Sequence, residues 1–462
     1  MKPVPLSRIA QWTGGRLLGT ESGRDVLIDS IATDTRTLDA SDGRAALFVA
    51  LKGERFDGHA HVGEAVEAGV RAVLVAHAVD VAVPQVVVAD TERALAAFAA
   101  AIQHTRSGKV VAITGSNGKT SVKTLLLSIL QRAGSTYANP GNRNNEIGLP
   151  LAVLDAPENA QFAIYEMGAG KPGDIAYLTA ISRPDVALVN NVAPAHLERM
   201  GSLLGVADTK GAIYDALPVG GVAVINADDA FAPYFAERAH GRRLIRFGLE
   251  ASADVSARDL VADENGTRFM LLTPDGDVPV SLALPGRHNV LNALAAASLA
   301  LGAGAGLQAI KDGLEASRSV AGRLVTHRLA NGATLIDDSY NANPGSLNAA
   351  IDTLAVAQGE SWLVLGDMRE LGVDAEALHG EAGRRAKAAG IARLFTLGTL
   401  SAAAGESFGP GAAHFESHAE LAEALRAALK ADVRVLVKGS RGSAMDKVVR
   451  ALLPPTGDAT HA

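Results

Sequence analysis

The chain has 462 residues, of which 48% are hydrophobic and 20% charged, with a formal net charge of −7; at roughly 150 residues per domain this length predicts about three domains. An acidic balance with a pI near 6.0 argues against a nucleic-acid surface and makes small molecules the expected partners. With no cysteine the chain can carry no disulfide, thiolate metal site or cysteine nucleophile, which suits the cytoplasm, and the start MKPVPLSRIAQW lacks the apolar stretch of a secretion signal.

In residues 1–106, short β-like runs (VLIDSIATDTR, AALFVAL, RAVLVA, QVVVAD) alternate with glycine turns, a helical stretch over 63–68 and an alanine-rich helix over 92–104 that leads into the next domain. The run 109–134, KVVAITGSNGKTSVKTLLLSILQRAG, then opens with an apolar β-branched strand and breaks at Gly115 and Gly118. It continues as a helix whose Val122, Leu125, Leu126, Ile129 and Leu130 recur at three- and four-residue spacing, and Gly134 stands where a left-handed C-cap is expected. A strand, a glycine loop and a helix with Lys119 and Thr120 in its first turn form the arrangement that cradles phosphates, because unpaired N–H groups and the positive end of the helix dipole face an anion. Lys119 then reaches the outer phosphates and Thr120 a magnesium ion. The standard pattern has a glycine where Ile113 stands and a longer loop. A purely steric strand-to-helix turn is the alternative, but it gives an exposed Lys-Thr pair no packing role.

Farther along, FAIYE (162–166), DVALVNNV (185–192), VAVINADD (222–229) and LIRFG (244–248) alternate with helical stretches up to 318, which predicts a parallel doubly wound sheet. The hairpin signals Asn265-Gly266 and Asp275-Gly276 predict a small antiparallel appendage over 254–285. The uncharged run 290–310 has the length of a membrane span but too many Ala, Gly and polar residues, so a buried helix with a glycine-rich exit is expected. Residues 319–462 repeat the alternation in ATLIDD, SWLVLGD, RLFTLG and VRVLVKGS, a second, Rossmann-like α/β domain whose end beyond Leu453 is expected to fray.

Glu166 ends an apolar strand where open α/β sheets place their ligands; a carboxylate there suits magnesium, and an ordinary strand-end acid is the other reading. His196 follows the next strand, and ligand-type residues at two successive strand ends favour function over a structural histidine. Lys210, by composition, reads as a solvated helix lysine. Asn139, Asn142, Asn144 and Asn145 lie in a loop that either makes turns or binds polar ligands. Asp337, Asp338, Asn341 and Asn343 follow a strand and Pro344 starts a helix, while Lys438, Ser440 and Arg441 form either an anion-binding turn or a solvated basic one.

Together these stretches resemble the Mur ligase family, ATP-dependent amide-forming enzymes of bacterial cell-wall synthesis, over almost the whole chain. The resemblance implies that Gly115, Ser116, Asn117, Gly118, Lys119, Thr120 and Ser121 in TGSNGKTS form a shortened phosphate loop for ATP. It implies Thr120 and Glu166 as magnesium ligands, His196 as the ligand of a second magnesium, and Lys210 as a metal ligand carried as a carbamate. His288, Asn289 and Asn292 in GRHNVLNA would contact adenine, Arg323 in AGRL and Asp338 would reach the γ-phosphate and the ribose, and Asp34, Thr35 and Arg36 would form part of a UDP site. Lys119, His196, Lys210 and Arg323 are the catalytic candidates. Three stretches, DDSYNANP (337–344), NPGNRNNEIGLP (139–150) and LFVALKGERFDGH (47–59), resemble the branch of the family that adds a dipeptide, so Asn142, Asn144, Asn145, Asn341 and Asn343 are expected at substrate.

The implied fold is three α/β domains: a UDP-substrate domain (1–106), a P-loop-type ATP-binding domain with its appendage (107–318) and a C-terminal ligase domain that brings the amine and closes on ATP (319–462). The implied partners are ATP, two magnesium ions, UDP-N-acetylmuramoyl-tripeptide and D-alanyl-D-alanine, in a cytoplasmic monomer with neither nucleic acid nor membrane span. ATP would phosphorylate the tripeptide's terminal carboxylate and the dipeptide amine would attack the acyl phosphate. Two alternatives share the loop: a folylpolyglutamate-synthetase-like ligase, which would lack a UDP-binding first domain, and a regulatory ATPase, which would hydrolyse ATP without an acceptor.

Overall fold

The computed structural model describes residues 1–19, 25–38, 43–53, 56–194, 197–263, 266–355 and 359–454. In the first part of the chain a five-stranded sheet runs in the order Arg16–Leu18, Gln85–Val87, Ala72–Val75, Ala46–Val49, Ser30–Ala32; the first pair is antiparallel and the others parallel. The helix Leu6–Thr13 and its neighbouring strand Val4–Pro5 are absent from the sequence reading, because Pro3 and Pro5 hide a short amphipathic helix behind turn-like residues. The alanine-rich helix spans Thr91–Gln103; Asp90 caps it by accepting from the amides of Glu92 and Arg93, and it packs on helices Gly148–Asp155 and Asp174–Ser182 of the next sheet. One apolar cluster therefore runs from Leu6, Leu47 and Leu74 through Phe98 to Val110 and Tyr165.

The central sheet is parallel throughout, ordered Arg243–Phe247, Val222–Asn226, Val186–Val189, Lys109–Thr114, Phe162–Glu166, Thr136–Ala138. The strand order reverses around Lys109–Thr114, so the crevice beyond its carboxyl end is the natural ligand site of such a sheet. The phosphate-loop helix Lys119–Ala133 covers one face, and Val122, Leu125, Leu126, Ile129 and Leu130 are all buried as their spacing predicts, each worth about 1.5–3 kcal/mol of apolar burial. Gly134 departs from expectation. Its φ of 169° is extended rather than left-handed, and a Cβ there would displace the Gln161 side-chain amide that lies against it.

The uncharged run forms helix Arg287–Ala303, closed at Gly304 in the left-handed conformation, and a second helix, Leu307–Ala316, packs on the phosphate-loop helix so closely that a Cβ on Gly313 would strike Ile129. Among the described residues no helix is long and apolar enough to cross a membrane. The appendage is a three-stranded antiparallel sheet, Ser256–Asp263, Gly266–Thr273 and Gly276–Leu282; Asn265 of the first hairpin signal lies outside the described residues.

The last sheet has six strands, ordered Val325–Arg328, Thr334–Asp338, Val433–Lys438, Glu360–Gly366, Arg393–Leu397, Ala412–Phe415, parallel except for its first pair. The edge strands Val325–Arg328 and Ala412–Phe415, with their half-exposed, mixed side chains, carry too weak an alternation to be seen in sequence. Apolar clusters cover both faces of this sheet.

Candidate active site

The turn after strand Lys109–Thr114 needs its two glycines for geometry. Gly115 and Gly118 sit at φ of 147° and 79°, and a Cβ on Gly118 would collide with the side-chain amides of Asn190 and Asn292. The loop is held from behind by the end of strand Val186–Val189: the Ser116 amide donates to Asn191 O (3.0 Å), the Asn117 amide to Asn191 Oδ1 (2.8 Å) and Ser116 Oγ to Ala193 O (3.0 Å). Lys119 folds back over it, donating to Gly115 O at 2.7 Å. Burial pushes the Lys119 pKa down, Glu166 opposes this and Arg323 adds to it.

Glu166 is 3% exposed and every oxygen is engaged. Oε2 accepts from Thr120 Oγ1 (2.9 Å) and lies 3.2 Å from Lys123 Nζ, while Oε1 accepts from Asn144 Nδ2 (2.9 Å). Burial alone would raise its pKa; the charges of Lys123 and Lys119, with the two side-chain hydrogen bonds, more than offset this and hold the carboxyl below its ordinary value. The carboxylate and hydroxyl beside the phosphate loop suit magnesium, a hard ion that takes one or two protein oxygens and fills its remaining positions with water and phosphate. Among the described residues no group of three or more His, Asp or Glu side chains gathers as a metal cage.

Lys210 is the main correction to the reading from composition. Helix Leu203–Asp215, capped by Ser202, turns it inward to 2% exposure rather than into solvent. Burial first, then repulsion from Lys119, lower its pKa from 10.5 to about 7, with Asp174 pulling the other way. A lysine in this state is substantially neutral near pH 7 and therefore nucleophilic.

The third sheet closes the cleft. Arg323 Nη2 donates to Thr120 Oγ1 (3.0 Å), its guanidinium lying 4.4 Å from the centre of the Tyr340 ring, and Asn343 Nδ2 donates to Asn117 Oδ1 (2.7 Å). Asp338 pairs with Lys438 (2.6 Å), which also donates to Asn341 O (2.9 Å). Ser440 Oγ donates to Ala342 O (3.2 Å) and accepts from the Arg369 amide. Lys438 and Ser440 are thus engaged internally, leaving Arg441, 5.5 Å from the centre of the Tyr340 ring, as the outward cation of the basic turn. His288 is lowered in pKa by burial, and Asn289 Nδ2 donates to Pro285 O (2.7 Å).

One cleft of about 750 Å³ brings together residues 115–121 with Asn144, Asn145, Glu166, Lys210, His288, Asn289, Asn292, Arg323, Asp338, Asn341 and Asn343. It does not include Asp34, Thr35, Arg36 or Asn142. The first three lie on an exposed turn of the first sheet region, where Asp34 and Arg36 pair at 2.6 Å, and Asn142 is exposed at the loop tip. His196 lies outside the described residues. Asn139 proves to be an internal brace, its side chain accepting from the Glu166 amide and donating to Glu166 O. Sequence reasoning missed Lys123, Asn190, Asn191 and Tyr340. Lys123 carried a usable signal, since a lysine beside Val122 and Leu126 on a core-facing helix requires a buried acceptor.

Comparison with known proteins matches this geometry. Three family models cover the chain in succession: the Mur ligase family catalytic domain (28–113), the Mur ligase middle domain (113–300) and the Mur ligase glutamate ligase domain (322–441). The UDP-N-acetylmuramoyl-tripeptide–D-alanyl-D-alanine ligase of Escherichia coli (strain K12) is 44% identical over 98% of this chain and 99% of its own, and that of Bacillus subtilis (strain 168) 34% identical over 97% and 98%. The crystal structure of MurF from Acinetobacter baumannii superposes with a TM-score of 0.92 at 33% identity over 98% of this chain and 99% of that one; MurF from Thermotoga maritima in complex with ADP gives 0.84 at 28% over 93% and 98%. Folylpolyglutamate synthase from Mycobacterium tuberculosis shares the fold at a TM-score of 0.63 over 78% of the chain. With a phosphate loop closed over by a second α/β sheet, and relatives that match it from end to end, this chain belongs to the Mur ligase family.

Proposed function

We propose that this enzyme joins D-alanyl-D-alanine to UDP-N-acetylmuramoyl-tripeptide with ATP, forming ADP and phosphate, in the synthesis of peptidoglycan precursors. The observation that carries the reading is the convergence in one cleft of the phosphate loop, Glu166 and Lys210 from the central sheet with Arg323, Asp338 and Asn343 from the third. The full-length match to ligases of that name supports the choice of substrates.

Ligation needs a carboxylate made electrophilic and an amine brought to it in a dry site. The γ-phosphoryl of ATP passes to the tripeptide's terminal carboxylate, the dipeptide amine adds to the acyl phosphate, and the tetrahedral intermediate expels phosphate. Lys119 and Arg323 supply positive charge where oxygens gather it, and the loop amides beyond Ser116 and Asn117, which are held by Asn191, orient the phosphates. Thr120 and Glu166 would hold magnesium, which would supply further charge neutralisation when bound. Residues 1–106 take the UDP end, with Asp34, Thr35 and Arg36 at that site; residues 107–318 take ATP, with His288, Asn289 and Asn292 toward adenine. Residues 319–462 bring the amine and shut out water, which would otherwise hydrolyse the acyl phosphate.

Lys210 serves as a carbamate. Its neutral amine would add to carbon dioxide with loss of one proton, giving an anionic carbamate that, with His196, would hold a second magnesium and supply it an oxygen ligand. The lowered pKa of Lys210 supports this, because only the free amine reacts. The protein acts as a monomer in the cytoplasm.

Phosphate release measured with ATP alone, with each substrate singly and with both tests the whole reading. Release is expected only when the UDP-linked peptide and the dipeptide are both present. Full-rate release with ATP alone would mark a regulatory ATPase, and full activity with glutamate a folate-type ligase.

A further inference from the structure

Lys123 lies one helical turn beyond Lys119, yet its side chain does not line the cleft. It is 6% exposed, and its ammonium meets three acceptors: Asn139 O at 3.0 Å, Gly141 O at 3.1 Å and Glu166 Oε2 at 3.2 Å. Two of these contacts are hydrogen bonds to backbone carbonyls and the third is the ion pair with Glu166. Two of the three belong to the backbone of the amide-rich loop rather than to the carboxylate, more than a counter-ion for Glu166 alone would require. The same loop is tied to the same strand end by further bonds. Asn144 Nδ2 donates to Glu166 Oε1 (2.9 Å), the Gly168 amide donates to Asn144 O (2.8 Å), and Asn139 brackets the Glu166 peptide through its amide and carbonyl (2.9 and 3.1 Å). Asn144, Asn145 and Glu146 at the far end of this loop do line the cleft.

We propose that Lys123 is a positioning residue that locks the 139–145 loop to Glu166, so that the loop's cleft-facing amides and the carboxylate beside the phosphate loop are set as one rigid unit. The inference rests on the reading of this cleft as the site of the UDP-linked peptide and ATP. Without the cation, Glu166 loses its nearest positive charge but keeps Lys119 nearby and its bonds to Thr120 and Asn144, whereas two loop carbonyls lose their buried donor and the chain between Asn139 and Asn144 gains freedom that a bound peptide must then remove. Lys123 does not line the cleft, so its effect falls on the ligand that the loop faces.

The test is calorimetric binding of UDP-N-acetylmuramoyl-tripeptide without nucleotide, and separately of a non-hydrolysable ATP analogue, to wild type, Lys123→Gln and Lys123→Arg. For Lys123→Gln the peptide Kd should rise about tenfold, as loss of about one hydrogen bond's worth of loop ordering predicts, while the nucleotide Kd moves by less than about threefold. Amide hydrogen exchange over 141–148 should accelerate. Should Lys123→Gln not fold, Lys123→Arg decides: its planar fork keeps the charge but cannot direct donors to the same three acceptors, so it too should weaken peptide binding and speed exchange in the loop. A folded variant with wild-type peptide affinity and exchange, or one that loses both ligands equally, overturns the inference. Failure of the wild type itself to bind the UDP-linked peptide would instead overturn the functional reading.

Discussion

Replacing Lys210 with methionine should yield a protein that is more stable than the wild type and does not ligate. The lysine is 2% exposed, and its pKa falls from 10.5 to about 7 chiefly because burial penalises the ammonium. At about 1.4 kcal/mol per pH unit, that drop corresponds to about 5 kcal/mol of destabilisation when the group is forced to stay protonated. Between pH 7 and 10.5 the unfolded chain binds a proton that the folded chain does not, so stability rises with pH across that interval. The penalty is fully present below about pH 7 and is gone above the unfolded value of 10.5. Methionine is unbranched, fills much of the same volume and carries no charge to desolvate. Denaturant unfolding of both proteins in carbon-dioxide-free buffer, from mildly acidic to alkaline pH, should show the variant's advantage greatest at acid pH and narrowing as pH rises. Phosphate release should be absent throughout, and Lys210→Arg should be inactive as well, since a guanidinium stays charged and forms no carbamate. If Lys210→Met is the less stable protein at every pH, the folded state stabilises the ammonium and the argument from burial fails; if Lys210→Arg ligates normally, the carbamate role fails.

Lys119→Ala removes the cation seated over the phosphate loop and should lower ligation about a hundredfold or more, read as kcat in the full assay. Arg323→Lys keeps a positive charge but loses the planar contact with Tyr340 and the directed bond to Thr120, so kcat should fall well below wild type with the nucleotide Kd little changed; equal kcat would remove Arg323 from the transition state. Gly118→Ala forces a side chain into φ of 79° against the amides of Asn190 and Asn292, and calorimetry should show weakened ATP binding in a protein that still folds. His379 is buried, its Nε2 accepts from the Met368 amide (2.8 Å), and burial lowers its pKa despite its bond to Ala375 O and the nearby Asp367. The unfolded chain therefore takes up a proton first as pH falls through 6.5, and stability drops from there; His379→Gln should flatten that part of an acid-unfolding profile.

Much of the fold was legible because buried parallel strands read as continuous apolar runs. FAIYE is a strand to the residue, and Val122, Leu125, Leu126, Ile129 and Leu130 are buried as spaced. Elements that alternate weakly or are framed by proline, such as Leu6–Thr13 and the edge strands of the third sheet, left no comparable mark. For the site, local motifs pointed to the cleft but could not say which face of a helix a lone lysine would take. Lys210 looked solvated and is buried, while Lys123 passed unremarked although it pairs with Glu166 at 3.2 Å. Each depends on partners distant in sequence, 43 residues on in the case of Glu166 and Lys123, and only the strand order brings such pairs together.

Among the described residues, two side-chain hydrogen bonds join the C-terminal sheet region to the central one, and both fall on the phosphate loop. Asn343 bonds Asn117, and Arg323 bonds Thr120, at two positions of the phosphate loop itself. At about 1 kcal/mol net each, these two bonds contribute about 2 kcal/mol, beside the approach of Gly345 to Asn117 and Ala193 and of Gly372 to Glu198. Their location matters more than their strength. Because Arg323 and Asn343 reach the loop, a nucleotide filling it as proposed above would add its own contacts to Arg323 and favour closure, while ADP and free phosphate would supply fewer bridging charges. On that proposal, the step that would shield an acyl phosphate from water is tied to the presence of the group being transferred.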